Sequence, residues 1–462
     1  MRALTSARLG ADFTKLWTAS AVSNLGDGVT MVAGPLLVAS LTTDPAAVAG
    51  AAFATQLPWL LFALISGAWA DRVDRRRLVV TVNVCRATIM AVLTVAVATG
   101  EASVPLIYAV SFLLGVGETL VDTASASFVP AIVPVERLPA ANSLLTGTFT
   151  VANQFAAKPL GAWLFVMGAA LPFGLNAASF LASAALIAGI RSVRRPVGAG
   201  PAGAGSVAGP VAGPVARPVD AGPGAGSVDG PVAAGAVAGP AGAGSVDGPV
   251  AAARRSLWTD IAEGVRWLWA HRLLRTLALT MAFGNLVFCA AFAIFVLYSR
   301  ERLGLSGVGY GVLLTAFALG GLAGTVTAPW LLRRAGASTL LRIGLLVEVA
   351  LHATLAATTA PLVAGAMIVV FGIHTVVWGV VITTIRQRAV PSALFGRVTG
   401  AYALMDLGGA ALGSLLGGLI AQAYGIVATF WTAAAAMGLV AVGAWRSLAA
   451  ASDEFRDPAA QR

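Results

Sequence analysis

Long apolar runs set the strongest limit on how this chain can fold. A helix of about 20 residues crosses a hydrocarbon core roughly 30 Å thick, and a window of about that length finds twelve such runs. They lie at 14–41, 46–70, 78–99, 104–128, 141–168 and 170–190, and at 276–299, 308–332, 337–357, 361–385, 398–422 and 426–446. Only 11% of the 462 residues are charged, against about 25% in a typical soluble domain. We therefore expect an all-α, multi-pass membrane protein with twelve transmembrane helices.

A segment of low complexity separates the two sets of six runs. Residues 192–253 are almost wholly Gly, Ala, Pro, Val and Ser, and GAGSVDGPV at 224–232 recurs at 242–250. Such a composition buries too little apolar surface to fold, so it predicts a disordered linker. We expect a first half at 1–191, this linker, an amphipathic surface helix at 254–275, a second half at 276–448 and a tail at 449–462.

The two halves share landmarks at one constant spacing. Gly67 recurs as Gly324, Pro134 as Pro391, and Gly161 as Gly418. A repeat of this length indicates two six-helix halves with the same topology, joined by the linker.

Arginines are unevenly divided between the loops on the two sides. The loops predicted on one side carry Arg300 and Arg302, whereas those on the other carry most of the remaining arginines in the chain. Because cytoplasmic loops of membrane proteins are rich in Lys and Arg, we expect both termini and the linker to be cytoplasmic. The net charge of +10 then reflects orientation, and no nucleic-acid partner is expected.

A motif follows the second run, where the sequence reads GAWADRVDRRR. It resembles the loop G-x-x-x-D-R-x-G-R-R of the major facilitator superfamily, with Asp74 at the usual glycine. The matching residues are Gly67, Asp71, Arg72, Arg75 and Arg76. The resemblance implies the twelve-helix fold of that family and a cytoplasmic latch between its halves.

Three further stretches resemble the exporter branch that includes macrolide efflux pumps and the enterobactin exporter. They are 22–28, 114–134 followed by 138–144, and 385–402, with Thr399 where that branch often has asparagine. The resemblance implies a secondary transporter of the bacterial inner membrane that exports a small amphipathic molecule in exchange for protons. A siderophore or metabolite exporter, an uncoupled facilitator and a membrane sensor that transports nothing are the alternatives.

Ionisable residues inside the runs are the candidates for coupling or for binding cargo. They are Asp27, Arg86, Glu118, Asp122, Lys158 and Asp406. A charge at the centre of a membrane helix costs about 2.5–3.5 kcal/mol, so each needs a partner, water or a function. Asp27 and Glu118 lie near mid-depth and are our principal candidates for binding protons or a cationic cargo. The alternative is a static pair with Arg86 or Lys158, while Asp122 is within reach of either Arg86 or Arg75.

Lys158 departs from the family pattern. Antiporters of this superfamily usually carry G-P-x-x-G-G in the fifth span, whereas this chain has Lys158 and Ala162 at two of the small positions. Three interpretations stay open: altered packing, neutralisation of Asp27 or Glu118, and contact with an anionic cargo.

Several polar and aromatic residues at mid-depth are candidates to line a cavity between the halves. They are Asn24, Gln56, Trp59, Asn285 and Trp378. For Glu348, His352 and His374 we favour a structural role.

Enzymatic functions find little support in the sequence. The two lysines, Lys15 and Lys158, are not part of a phosphate-binding loop, and the two cysteines lie far apart in the chain. We expect no cofactor, no metal and no enzyme activity, and we expect a monomer.

Overall fold

A computed structural model describes residues 9–70, 74–125, 128–134, 137–190, 257–391 and 394–449. The predicted linker at 192–253, nearly all of the tail, and Asp71 and Arg72 of the motif lie outside these residues. The described part is almost entirely helical, and eleven of its helices are long and apolar enough to cross a membrane.

The helices follow the predicted runs closely. The first half contains α1 (Ala11–Leu41), α2 (Pro45–Ala70), α3 (Arg75–Thr99), α4 (Val104–Ser125), α5 (Leu138–Phe149, Thr150–Ala156 and Ala157–Met167) and α6 (Leu171–Ala188). The second part contains α7 (Leu257–Ala270), α8 (Arg272–Ala293), α9 (Gly307–Ala335), α10 (Ala337–Ala357), α11 (Pro361–Ala389), α12 (Phe395–Tyr424) and α13 (Ile426–Ala444).

The fifth predicted span is not among the eleven because α5 is divided. Its middle segment, Thr150–Ala156, is π-helical, so neither α-helical segment reaches the length of a span. π-helical turns inside α-helices occur frequently at functional sites.

The predicted surface helix at 254–275 is shorter than expected. It corresponds to α7, which ends at Ala270. His271 has an extended backbone, and its side chain accepts a hydrogen bond from the Leu274 amide at 3.3 Å. This cap ends one helix and begins the next, so Arg272 and Arg275 belong to α8.

Small residues allow the helices of each half to pack closely. In the second half, a Cβ at Gly409, Gly413 or Gly417 of α12 would collide with backbone carbonyl oxygens of Ala282, Leu286 and Ala290 on α8. Because lipid provides no hydrophobic force that drives helices together, such close packing is a main source of helix–helix association in membranes.

The apolar cores show how the two halves meet. We call the arginine-rich side of the bundle the inner side. One large core combines residues of both halves at the outer side, among them Leu36, Ala49, Leu297 and Phe430. Two other cores lie at the inner side, and each contains residues of one half alone. Among the described residues, the apolar cores therefore join the halves at the outer side, whereas each core at the inner side belongs to one half.

Direct contacts between the halves agree with this arrangement. At the outer side, Arg300 Nη1 donates to the Ala39 carbonyl at 2.9 Å, and a Cβ at Gly418 would lie 3.0 Å from the Ala46 Cα. At mid-depth, Gln56 Nε2 lies 3.8 Å from Cys289 Sγ. These two hydrogen bonds between the halves lie at mid-depth and at the outer side.

Candidate transport site

An ion pair in the first half lies at the centre of the candidate site. Asp27, near the middle of α1, and Arg86, on α3, are brought together with Arg86 Nη2 3.2 Å from Asp27 Oδ1. The guanidinium side chain is 6% exposed and the carboxylate side chain is 30% exposed. Of the partners left open for Arg86, the structure selects Asp27.

Neighbouring helices fix the position of Arg86. Its guanidinium carbon lies 4.0 Å from the centre of the Phe180 ring on α6, a favourable cation–π arrangement. A Cβ at Gly117 of α4 would lie 2.8 Å from Arg86 Cγ. Because a larger residue at position 117 would displace the arginine stem, this glycine makes room for the ion pair.

Two more acids lie next to this pair. Glu118 and Asp122 are one turn apart on α4, and both are within electrostatic range of Arg86 and Asp27. The Trp59 indole nitrogen lies beside Glu118 without a hydrogen bond of normal geometry. The three carboxyl groups and Arg86 form what we call the acid cluster.

The acid cluster carries more negative than positive charge. Arg86 is the cation that acts on all three acids among the described residues, so three ionised carboxylates would leave two negative charges uncompensated. Asp122 is exposed, and Asp27 and Glu118 are partly exposed. This is the exposure expected of groups that line a water-filled space.

Polar residues of α6 complete the surroundings of Asp27, and sequence reasoning missed them. Asn176 lies beside Asp27 and donates to Thr30 at 2.8 Å. Ser179 donates to Asn176 at 2.9 Å, and Ser183 lies 3.3 Å from Asn83. The signal was present, because these residues form a stripe at helical spacing in an otherwise apolar span.

The cavity candidates divide into two groups. Gln56 Oε1 and Trp59 Nε1 are buried and have no hydrogen-bond partner among the described residues, so both can bind water or cargo. Asn24 bonds within α1 to Ser20 at 2.7 Å, and its carbonyl accepts from Asn153 at 3.0 Å. A structural role accounts for Asn24.

Asp406 belongs to a balanced group in the second half. Its carboxylate accepts from Asn285 Nδ2 at 3.0 Å, and Arg386 acts on it as a counter-charge. Asp406 does not join the acid cluster of the first half.

An aromatic group in the second half was not predicted. The rings of Phe292, Phe317 and Phe371 each lie between 5.5 and 6.2 Å from the ring of Phe288. Phe288, Phe292 and Phe317 are partly exposed. Trp378, a predicted cavity residue, is linked to this group through His374. The His374 ring packs against Phe371, and its centre lies 5.5 Å from the centre of the Trp378 ring.

Comparison with known proteins agrees with this architecture. A family model described as a transmembrane secretion effector, within the MFS group, matches residues 7–202 and 248–459. The chain belongs to the major facilitator superfamily. Uncharacterized MFS-type transporters of Mycobacterium bovis and Mycobacterium tuberculosis are 32% identical to it over 168 residues. That alignment covers 35% of this chain and 38% of each relative.

Solved structures show the same fold at low identity. A bacterial homologue of the iron transporter ferroportin, in an inward-facing state, has a TM-score of 0.68 at 15% identity over 96% of this chain and 99% of that one. An inward-facing, occupied bacterial homologue of the lysosomal transporter Spinster gives 0.66 at 13%, over 96% and 98%. Nucleoside transporter NupG gives 0.60 at 12%, over 97% and 100%. The superfamily resemblance of the Gly67 motif is confirmed.

Two described residues of that motif contact the first half of this MFS transporter. Asp74, at the usual glycine, caps α3 by accepting from the Arg77 amide at 2.8 Å. Arg76 donates to the Ala188 carbonyl at the C-terminal end of α6. The positive charge of the arginine also interacts favourably with the negative end of the helix dipole there.

Lys158 of this transporter does not neutralise the acid cluster. The lysine is 3% exposed, and its Nζ donates to Gln154 Oε1 at 2.6 Å, one turn earlier on α5. Of the three interpretations, the structure does not show pairing with Asp27 or Glu118, because Lys158 is not among the charges that act on either acid.

Close packing of α5 survives the departure from the family pattern. A Cβ at Gly161 would lie 2.5 Å from the Val29 carbonyl on α1, and a Cβ at Gly311 of α9 would lie 2.8 Å from the Ala162 Cβ. The partner helix therefore supplies a small residue opposite the position where α5 has lost one.

Proposed function

We propose that this MFS transporter exports a small amphipathic molecule, such as a drug, a macrolide-like compound or another metabolite, in exchange for protons. The observation that carries the proposal is the charge imbalance of the acid cluster, in which three carboxyl groups depend on one guanidinium. In a membrane interior such an excess must be compensated by bound protons or by a cation.

Protons and a cationic group of the cargo would compete for the same carboxylates. When Glu118 and Asp122 are protonated, the cluster has no site for a second positive charge. When they lose their protons, the two uncompensated charges favour a cation. Exchange follows, because the cluster does not hold both ligands at once.

The apolar part of the cargo would lie against the second half. Phe288, Phe292 and Phe317 offer partly exposed rings, and aromatic faces bind bulky apolar groups well. Gln56 and Trp59 supply polar atoms without partners near the acid cluster. This combination suits a molecule with a charged end and an apolar body.

Alternating access would use the two sets of contacts between the halves. The separate cores at the inner side support a state that is open to the cytoplasm, given the predicted orientation. The outer core and the bond from Arg300 to Ala39 would have to separate for release. Rocking of one half against the other accomplishes such a change in transporters with repeated halves.

Cargo uptake into inverted membrane vesicles tests the proposal. We expect uptake of a cationic amphipathic dye to depend on an imposed pH gradient and to be lost in the double variant Asp27→Asn, Glu118→Gln. Glu263→Gln is the matched control, since that acid pairs with Arg397 at 2.8 Å on the surface helix, away from the cluster. Uptake that ignores the gradient, or that survives the double variant, would refute proton exchange.

Uptake measured with a panel of dyes, macrolides and siderophores distinguishes the remaining alternatives. Uptake of dye that runs down its own gradient without protons would indicate an uncoupled facilitator. Uptake of siderophores but not of dyes or macrolides would indicate a siderophore or metabolite exporter. The buried ammonium of Lys158, whose bond is to an amide oxygen, favours testing anionic siderophores in that panel.

A further inference from the structure

A second ionisable group lies in the half that the proposed exchange does not use. Glu348 on α10 and His374 on α11 approach each other across the helix boundary, with His374 Nε2 3.4 Å from Glu348 Oε1. Their side chains are 13% and 8% exposed. Two titratable groups from different helices, both largely buried, form a site distinct from the acid cluster.

The pair has unused capacity for hydrogen bonding. Glu348 Oε2 is buried and has no hydrogen-bond partner among the described residues. The same holds for Nε2 of His352, whose Nδ1 lies 2.8 Å from the Glu348 carbonyl one turn earlier. Burying a polar atom without a partner is costly, so the arrangement is unlike an ordinary structural network.

Other charged groups on the helices packed around the pair lie away from it. At a rise of about 1.5 Å per residue, Arg342 lies about 9 Å from Glu348 along α10, and it bonds to Trp445. Arg386 lies about 18 Å from His374 along α11, and it stacks on Tyr402. Helix α13 has no titratable side chain, and Gly284 is the α8 residue that faces Glu348. The other titratable residues of α8 and α9 are Cys289, Arg272, Arg275, Tyr310, Arg333 and Arg334.

Among the residues that the structure describes, no fixed cation lies near this pair, and this determines its chemistry. Asp27 has Arg86 as a permanent counter-charge, whereas Glu348 has an imidazole that is charged only after it binds a proton. An unpaired carboxylate inside a membrane is expensive, so one proton is needed on either Glu348 or His374. We propose that Glu348 and His374 form a second proton-binding site, located in the C-terminal half.

This inference goes beyond the proposed function, because it concerns a different site and does not depend on the cargo. Trp378 provides a direct readout of it. The indole ring lies 5.5 Å from the His374 ring, and a protonated imidazole quenches the fluorescence of a neighbouring tryptophan. The difference in fluorescence between wild type and Trp378→Phe isolates this signal from the other tryptophans.

The experiment is a pH titration of purified full-length protein in lipid nanodiscs. We expect a single Trp378-dependent transition in the wild type, its loss in His374→Gln, and a midpoint shift of about one pH unit or more in Glu348→Gln. His271→Gln is the control for the histidine substitution and should keep the wild-type transition. The double variant Asp27→Asn, Glu118→Gln should also keep it, even if it abolishes exchange.

Three results would overturn the inference. They are a wild type without a Trp378-dependent transition, a transition that persists in His374→Gln, and an unchanged midpoint in Glu348→Gln. If a variant does not fold, infrared difference spectroscopy is used instead. The spectrum of the wild type at acid pH minus that at neutral pH is compared with the same difference for the folded variants. It reports protonation of the Glu348 carboxyl group directly. An infrared difference with neither an imidazolium contribution from His374 nor a carboxyl contribution from Glu348 would equally refute the shared site.

Discussion

The Asp27–Arg86 pair leads to an asymmetric prediction about stability. Replacing Asp27 by Asn leaves Arg86 with two acids in range, Glu118 and Asp122. Replacing Arg86 by Gln leaves all three acids without the cation that acts on them. We therefore expect Arg86→Gln to destabilise the protein more than Asp27→Asn does.

The geometry sets the size of this difference. At a separation of 3.2 Å and an effective dielectric constant of about 20, the direct attraction is about 5 kcal/mol. Desolvation of the buried guanidinium offsets much of this, and removal of one partner from a buried pair typically costs about 3–5 kcal/mol. Asp27 is 30% exposed and its loss can be compensated by two neighbours, so we expect about 1–2 kcal/mol for Asp27→Asn and about 3 kcal/mol for Arg86→Gln.

Thermal unfolding in detergent at neutral and acid pH measures both variants. The deficit of Arg86→Gln should shrink as the pH falls, because protonated carboxyl groups need no counter-charge. Arg342→Gln is the matched control, since Arg342 bonds to the Trp445 carbonyl at 2.9 Å and pairs with no acid in the described part of the chain. Equal losses for the two cluster variants, or an Arg86→Gln deficit that does not change with pH, would refute the reasoning.

Three further variants test separate parts of the structure. Asp74→Ala should lower stability by about 1 kcal/mol through loss of the α3 cap, with Asp74→Asn as a control that keeps the cap, both measured by thermal unfolding. Arg300→Ala should weaken the outer contact with Ala39 and lengthen the distance between spin labels on the outer ends of α1 and α8; an unchanged distribution would contradict a gating role. Lys158→Met should leave the melting temperature unchanged or raise it, because replacement of a buried charge by an apolar side chain is often neutral or stabilising; a large drop would indicate that the bond to Gln154 matters.

The sequence was sufficient to locate the helices because bilayer thickness dictates their length. Helix α10, for example, occupies the same residues, 337–357, that the apolar run predicts. The break at His271 was missed because a single capping side chain and one extended residue leave no trace in hydropathy. The π-helical turn of α5 was missed for a similar reason, since it changes the register of the helix without changing its composition.

The members of the candidate site were easier to predict than their partners. Asp27, Glu118 and Arg86 were identifiable because each carries a charge in an apolar run. Which of them pair depends on how α1, α3 and α4 pack, and this packing is set by small residues such as Gly117 that fit a specific neighbour. Lys158 illustrates the limit, because its partner Gln154 is uncharged and gave no signal.

The two halves share a topology but carry their charge differently. In the first half, three acids depend on Arg86, so a change in bound protons or cations alters the net charge of the site. In the second half, Asp406 is balanced by Arg386, and aromatic rings dominate the same depth. In the proposed exchange, the charge that depends on bound protons or cargo therefore lies in the first half, while Asp406 and the aromatic rings of the second half provide a surface whose contacts need not change with it. A transporter built this way can couple a proton to the movement of the halves through the first half alone, and the Glu348–His374 pair is the feature of the second half that would break this division.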